Sequence, residues 1–123
     1  MHAPSLVKRN RMATSPGTID YLVDQLAGAG EMRARKMFGE YALYLGGKVV
    51  ALVCDDILFV KMTEVGKACA GTRAVGAPAY PGAKPWLRVE EDALDDREFL
   101  CELVRVTAEA LPVPPPKKPR RAW

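Results

Sequence analysis

Histidine, closely spaced cysteines and long apolar runs are what this sequence has least of. Its one histidine is His2, and its three cysteines, Cys54, Cys69 and Cys101, form no C-x-x-C pair. Because structural zinc sites draw on such residues at short spacings, we expect no metal centre. The longest unbroken apolar run, VVALVC at 49–54, is far shorter than the roughly 20 residues of a membrane-spanning helix. We therefore expect no contact with a membrane.

Catalytic and export motifs are missing as well. The chain has no G-x-G-x-x-G or P-loop, and no serine or cysteine has an internal histidine partner. Its first residues, MHAPSLVKRNRMATSPG, carry cations without the apolar stretch of a secretory signal. We expect a cytoplasmic protein that is not an enzyme, binds no cofactor and keeps its thiols reduced and buried. A reactive thiol at Cys54 or Cys69 is the alternative.

The positive charge lies at the two ends of the chain. Residues 1–19 contain three cations and no acid, and residues 112–123 contain Lys117, Lys118, Arg120 and Arg121 and no acid. All 15 carboxylates fall between residues 20 and 111, against 11 Lys and Arg. The intervening body is therefore acidic overall, and general attraction to nucleic acid is expected mostly from the ends.

Composition divides the chain into three parts. We predict a basic flexible arm over residues 1–14, a single domain over residues 15–111 and a Pro-rich basic tail over residues 112–123. The tail is expected to be extended because LPVPPPKKPRRAW cannot form a packed core. It is interpreted either as a solvated tail or as a weak phosphate or acidic-partner contact, with Trp123 as a stacking group.

The periodicity of residues 15–62 predicts one helix followed by hairpins. Ser15 is a helix N-cap, Pro16 suits the first helical position, and the apolar spacing favours a helix that ends near Gly28 or Gly30. The segments EMRARKMF, EYALYL, KVVALVC and ILFVKM are then typical of strands. Gly46-Gly47 and Asp55-Asp56 are two-residue connections, which require antiparallel hairpins.

The remainder of the domain predicts two helices around one strand. TEVGKACAG is expected to form a short helix capped by Thr63, and AVGAPAYPGAK a loop because it is rich in Gly and Pro. PWLRVE predicts a strand, and LDDREFLCELVRVTAEAL a final helix with Asp95 or Asp96 at its cap. The fold class is therefore α+β, an antiparallel sheet made of a meander and a later strand, with helices on one face.

The chain resembles the N-terminal domain of the TfoX/Sxy family of competence regulators. The resemblance begins with RARKMFGEYALYLGGKVVALVCDDILFVKM and continues through the late strand and the final helix. The match comprises the basic pair before Met37-Phe38-Gly39, then Tyr41, Leu43 and Tyr44, over about residues 15–111. Glu40 and Ala42 depart from it, since glycines are usual there. After Leu111 only the tail remains, so a stand-alone N-terminal domain without the family's C-terminal domain is expected.

The resemblance implies a non-enzymatic regulatory or protein-interaction domain that acts on competence gene transcription. The implied partner is a protein of the transcription machinery or a transcription factor, with weak DNA contact secondary. A second hypothesis is direct nucleic-acid binding through the basic ends and the cations Arg33, Arg35 and Lys36, and a third is a thiol enzyme. The exposed edges of a short sheet further suggest a homodimer.

The block around Met-Phe-Gly has two interpretations. Met37 and Phe38 are expected to pack against the helices, with Gly39 allowing a bend. Arg33 and Arg35 should share one face with Met37, while Lys36 points the other way. These cations either keep an edge strand solvated or contact phosphate or acidic groups of a partner, with Tyr41 or Tyr44 alongside.

Overall fold

The computed structural model describes residues 14–37 and 40–112 of the 123-residue chain. These residues form three α-helices, six strands and short 3₁₀ turns. The helices are α1 (Pro16–Leu26), α2 (Glu64–Ala70) and α3 (Arg97–Ala110). The strands are β1 (Met32–Met37), β2 (Glu40–Leu45), β3 (Lys48–Cys54), β4 (Ile57–Val60), β5 (Ala74–Pro78) and β6 (Pro85–Val89). In the described residues, no helix has the length and apolar character needed to span a membrane.

The six strands form one antiparallel sheet in the order β1-β2-β3-β4-β6-β5. The predicted α+β class, the meander and the later strand are confirmed. The prediction of a loop over residues 74–84 is wrong in its first half, because residues 74–78 form β5 and pair with β6. Gly76 and Pro78 disguise this strand locally, and its hydrogen-bonded partner comes from a segment farther along the chain.

The two tight turns of the meander have the backbone geometry that two-residue hairpins require. Gly46 and Gly47 have φ angles of 59° and 86°, which glycine adopts at little cost. Asp55 and Asp56 adopt φ angles of 54° and 63°, in the left-handed region that aspartate tolerates better than most residues. Both hairpins are confirmed.

Each helix begins with the side-chain cap expected from the sequence. The hydroxyl of Ser15 accepts a hydrogen bond from the Thr18 N–H, and Thr63 does the same for Gly66. Asp96 accepts from the Phe99 N–H at 3.0 Å and binds Arg73 at 2.9 Å. These two contacts hold the pKa of the Asp96 carboxyl below its ordinary value, the backbone hydrogen bond being the larger cause.

The helices lie on one face of the sheet and bury the core there. Core residues come from all three helices and from alternate positions of the strands, such as Leu43, Val53 and Leu58. Leu22 of α1 and Leu100 of α3 are also fully buried. A 3₁₀ turn over residues 91–95 ends at Asp96, so much of the acidic segment 89–96 leads into the N-terminus of α3.

Lys48 fastens the sheet to the last helix. Its ammonium donates hydrogen bonds to the carbonyls of Ala108, at 2.7 Å, and Leu111, at 3.0 Å. A cation at this position satisfies carbonyls that the end of a helix leaves without partners, and it also interacts favourably with the helix dipole. The sequence pattern gave no sign of this contact, because Lys48 is 60 residues from Ala108.

Candidate interaction surface

The face of the sheet turned away from the helices is covered by none of the described elements. Residues in strands alternate between faces, so the register assigns the side chains of this open face. From β1 to β5 they are Arg33, Arg35, Met37, Glu40, Ala42, Tyr44, Val49, Leu52, Cys54, Ile57, Phe59, Trp86, Arg88, Val75 and Ala77. Ala42 and Phe59 are buried but do not belong to the core cluster, which agrees with this assignment. The open face therefore has an apolar centre of its own.

One end of the open face is a basic cleft. Arg33 and Arg35 are exposed on β1, and Tyr44 lies directly opposite Arg33 on β2. With Glu31 and the Gly46-Gly47 turn they line a shallow cavity of about 400 Å³. Arg33 forms an exposed ion pair with Glu31 at 3.2 Å, whereas Arg35 makes no ion pair within residues 14–37 and 40–112. The cleft therefore presents at least one guanidinium for an acidic group.

The other end of the open face combines an aromatic ring with two cations. The Lys61 ammonium lies 5.8 Å from the centroid of the Trp86 ring, within the range of a cation–π contact. Arg88, two residues after Trp86 on β6, is exposed on the same face. It lies opposite the buried Phe59 of β4. Cationic side chains thus flank the apolar centre on both sides.

Charge is divided between the two sides of the domain. The strand positions of the open face hold the cations Arg33, Arg35 and Arg88 against one carboxylate, Glu40. The rest of residues 20–111 then has 8 Lys and Arg against 14 carboxylates. An overall acidic body therefore has one basic face, which its net charge conceals.

Glu40 belongs to a polar cluster at the start of β2, away from the basic cleft. Its carboxylate accepts hydrogen bonds from Thr14 Oγ1 at 2.6 Å and from the Asp55 N–H at 3.1 Å. Thr14, which the sequence placed in the arm, is buried in this cluster. Glu40 therefore joins the start of the domain to the β3–β4 turn, rather than neutralising the cations of β1 at the other end.

Asp56 completes that cluster. One carboxylate oxygen accepts hydrogen bonds from the Ser15 N–H at 2.9 Å and from the Thr18 hydroxyl at 2.8 Å. The other oxygen is buried and has no partner among the described residues. A cleft of about 390 Å³ borders this turn and the first residues of α1. In the described part of the chain, no three His, Cys, Asp or Glu side chains are grouped as metal ligands would be.

The structure separates the site residues that the sequence suggested. Arg33 and Arg35 lie beside Tyr44, whereas Lys36 and Tyr41 pair with each other on the opposite face. Tyr41 packs partly against the core. Lys36 is exposed at the sheet edge. It lies close to the basic cleft, but its side chain points to the helical face.

The expectation that Met37 packs against the helices is wrong. Met37 lies on the open face with 40% of its surface exposed, because the period-two alternation of β1 places it with Arg33 and Arg35. Phe38 and Gly39 lie outside the described residues. So do the cations of the tail, Lys117, Lys118, Arg120 and Arg121, and with them Trp123.

The cysteine environments work against thiolate formation. Burial, followed by the nearby charges of Glu40 and Asp55, raises the pKa of the Cys54 thiol to about 11. Burial also raises the pKa of Cys69. Cys101 donates its S–H to the Gln25 carbonyl at 3.2 Å. Since nucleophilic cysteines rely on a lowered pKa, the thiol-enzyme hypothesis loses its two candidates.

Comparison with known proteins agrees with this architecture. The family model of the TfoX N-terminal domain matches residues 24–111. The chain belongs to the TfoX N-terminal domain family. It is also 40% identical over 107 residues to a protein of Spirochaeta aurantia described as an uncharacterized 12.7 kDa protein in the trpE 5′ region. The match covers 87% of this chain and 91% of that protein.

The TfoX N-terminal domain is not a known enzyme family. Within this chain, three members of the surface had no sequence signal of their own: Lys61, Trp86 and Arg88. They come together with the β1 cations only through sheet pairing across β2, β3 and β4.

Proposed function

We propose that this TfoX N-terminal domain is a non-enzymatic regulatory module that acts on competence gene transcription through protein contacts. The contact surface in this proposal is the open face, and the partner is a protein of the transcription machinery or a transcription factor. Family membership supports a regulatory role, and the raised pKa of Cys54 and Cys69 disfavours thiol chemistry.

The observation that carries the proposal is the composition of the open face. Tyr44, Leu52 and Trp86 are half-buried without a covering element among the described residues, and the cations stand around them. Protein interfaces have this anatomy, an apolar and aromatic centre with a polar rim, and aromatic residues and arginine contribute disproportionately to binding.

Two valines with nearly equal exposure provide a matched test. Val75, on the open face, is 47% exposed, and Val65, on α2, is 48% exposed. Val75→Glu introduces a charge on the proposed contact surface, and Val65→Glu introduces the same charge on the helical side. Each variant is expressed in a strain that lacks the gene for this chain and carries a reporter driven by a competence gene promoter.

Val75→Glu should lower reporter output at least tenfold, while Val65→Glu should retain wild-type output. Urea unfolding of both purified variants checks that each is folded. Equal reporter output from the two folded variants contradicts the proposal. Reporter output that stays unchanged when the gene is deleted also contradicts it.

Direct binding of single-stranded nucleic acid is the second candidate. The combination of Tyr44 and Trp86 with four cations on one sheet face favours it, because bases stack on aromatic rings while cations contact phosphates. The cation–π contact between Lys61 and Trp86 weakens this case, since it places an ammonium against the ring that a base would occupy.

Fluorescence anisotropy at two salt concentrations distinguishes the two functions. If four cations neutralise phosphates of a single strand, log K falls with log salt at a slope of about −2.8. Arg33→Glu with Arg35→Glu would then reduce the slope by about half, on the same per-phosphate scaling. No measurable binding by the full chain at either salt concentration favours the protein-contact function.

A further inference from the structure

β1 forms an edge of the sheet with one side free of partners among the described residues. It pairs only with β2, and the sheet order ends with it. Five of its six residues are exposed; α1 contacts the strand from the helical face, but no described strand pairs with its outer edge. The opposite edge, β5, contains Gly76 and Pro78, and proline lacks the N–H that a further strand would require. Of the two edges, β1 is the better template for an additional strand.

The phase of the hydrogen bonds shows which groups of β1 are available. The Gly46 N–H donates to the Glu31 carbonyl at 3.3 Å, and these two residues stand opposite each other in the β1–β2 register. Hydrogen-bonded and non-hydrogen-bonded pairs alternate in antiparallel sheets. Arg33 and Arg35 therefore direct their backbone groups to β2, and those of Met32, Ala34 and Lys36 point to the free edge.

The charge of this edge argues against a second copy of the chain. β1 contains Arg33, Arg35 and Lys36 and no carboxylate. Antiparallel pairing of two copies about Ala34 would place Arg33 of each opposite Arg35 of the other, and like charges directly opposite destabilise a sheet. The undescribed ends of the chain are also unsuitable, since residues 1–13 and 113–123 have cations and no acid.

We infer that the outer edge of β1 binds an extended acidic peptide segment of a partner as an additional strand. Backbone hydrogen bonds to Met32, Ala34 and Lys36 supply the pairing, and alternate carboxylates meet Arg33 and Arg35 on the open face. The same cations reject copies of this chain and favour an acidic strand, so one set of charges gives specificity in both directions. This inference rests on the proposed function and specifies the chemistry of its partner.

A labelled peptide of eight residues that alternates Glu with Val provides the probe, and its counterpart with Lys in place of Glu is the control. Anisotropy with the full chain should show saturable binding of the Glu peptide and at least tenfold weaker binding of the Lys peptide. N-methylation of alternate backbone amides in the Glu peptide should weaken binding to the same extent, because it removes strand donors.

Two variants assign the binding to β1. Arg33→Glu with Arg35→Glu should weaken the Glu peptide at least tenfold and improve the Lys peptide, a reversal that loss of folding cannot produce. Lys84→Glu, an exposed cation in the β5–β6 connection, is the matched control and should change Kd less than twofold. Equal affinities of the wild-type chain for both peptides overturn the inference.

The competing occupants give other results. A mass of two chains by sedimentation at the working concentration, lost in the Arg33→Glu and Arg35→Glu variant, would assign the edge to a second copy and overturn the inference. Displacement of the Glu peptide by an equimolar single-stranded oligonucleotide would assign the cations to phosphate and also overturn it.

The peptide assay and the promoter reporter test separate claims, so a negative result in one does not imply a negative result in the other. Val75 lies on the far edge strand of the sheet, so Val75→Glu should leave peptide binding unchanged while it lowers reporter output at least tenfold. If the charge-reversed β1 variant loses the peptide and still drives the reporter, the peptide-binding inference stands for the isolated protein but the link to regulation is refuted. If the reporter requires the open face but the peptide never binds, only the strand-addition inference is overturned.

Discussion

The two faces of the sheet are built from the same strands but differ in how far their apolar side chains are buried. On the helical face, Leu43, Val53 and Leu58 are fully buried against α1 and α3. On the open face, the neighbouring positions Tyr44, Leu52 and Ile57 are half-buried, with cations at Arg33, Arg35 and Arg88 on the same face. The first face gains its stability within the chain, whereas the second leaves apolar area that only a partner outside the described residues can cover. In the proposed function, a strand that contributes to both faces satisfies folding and recognition at alternate positions.

The largest expected effect separates the faces by the cost of truncation. Leu100→Ala removes a side chain that is fully buried in the helical layer, and it should lower the free energy of unfolding by about 2–5 kcal/mol. Leu52→Ala on the half-buried open face should cost about 1 kcal/mol, since water already reaches that site. Urea unfolding measures both. Equal costs would mean that the open face is packed as tightly as the core.

Cys54 tests how dry the open face is at its Glu40 and Asp55 end. With its pKa raised to about 11, its alkylation by iodoacetamide at pH 8 should be about 100 times slower than that of free cysteine, because only the thiolate reacts. The rate should continue to rise as the pH approaches about 11. Mass spectrometry of the labelled peptide gives the rate, and the same chain in urea is the control. A plateau near pH 8 would indicate a wetter face.

The turn that links the open face to α1 is expected to have a smaller effect. Asp56→Ala removes both hydrogen bonds to the start of α1 and places a less tolerant residue at a φ of 63°. It should destabilise the protein by about 1–2 kcal/mol. Asp55→Asn is the matched control: asparagine suits the left-handed conformation, and the change should stay within about 0.5 kcal/mol. Similar losses for the two variants would refute a stabilising role for the hydrogen bonds of Asp56.

The smallest effect concerns the cation that joins the sheet to the end of α3. Lys48→Met keeps an aliphatic side chain but removes the donor to the carbonyls of Ala108 and Leu111. A loss of about 1 kcal/mol in thermal or urea unfolding is expected, from the hydrogen bonds and the helix dipole. Lys84→Met, in an exposed connection, should leave stability unchanged. If Lys48→Met also leaves the free energy of unfolding unchanged, the end of α3 does not depend on this contact.

Local chemistry made part of this fold predictable. The caps Ser15, Thr63 and Asp96 and the turns Gly46-Gly47 and Asp55-Asp56 depend on residues within a few positions of one another, so the sequence displays them directly. Alternation in β1 likewise predicted that Arg33 and Arg35 share a face and that Lys36 lies on the other. Each of these predictions rests on dihedral preferences that act over one turn or one hairpin.

Long-range pairing decided the rest. β5 exists because β6 supplies its hydrogen-bond partner, and Met37 is exposed because an edge strand at that position has no helix above it. Lys61 meets Trp86 only when β4 pairs with β6, and Arg88 lies on the same face as Arg35 only when five strands have paired in order. The sequence by itself determined the helices, the strands of the meander and their turns, since those energies are local. The basic open face was decided by tertiary structure alone, because strand order brings together residues that are distant in the chain.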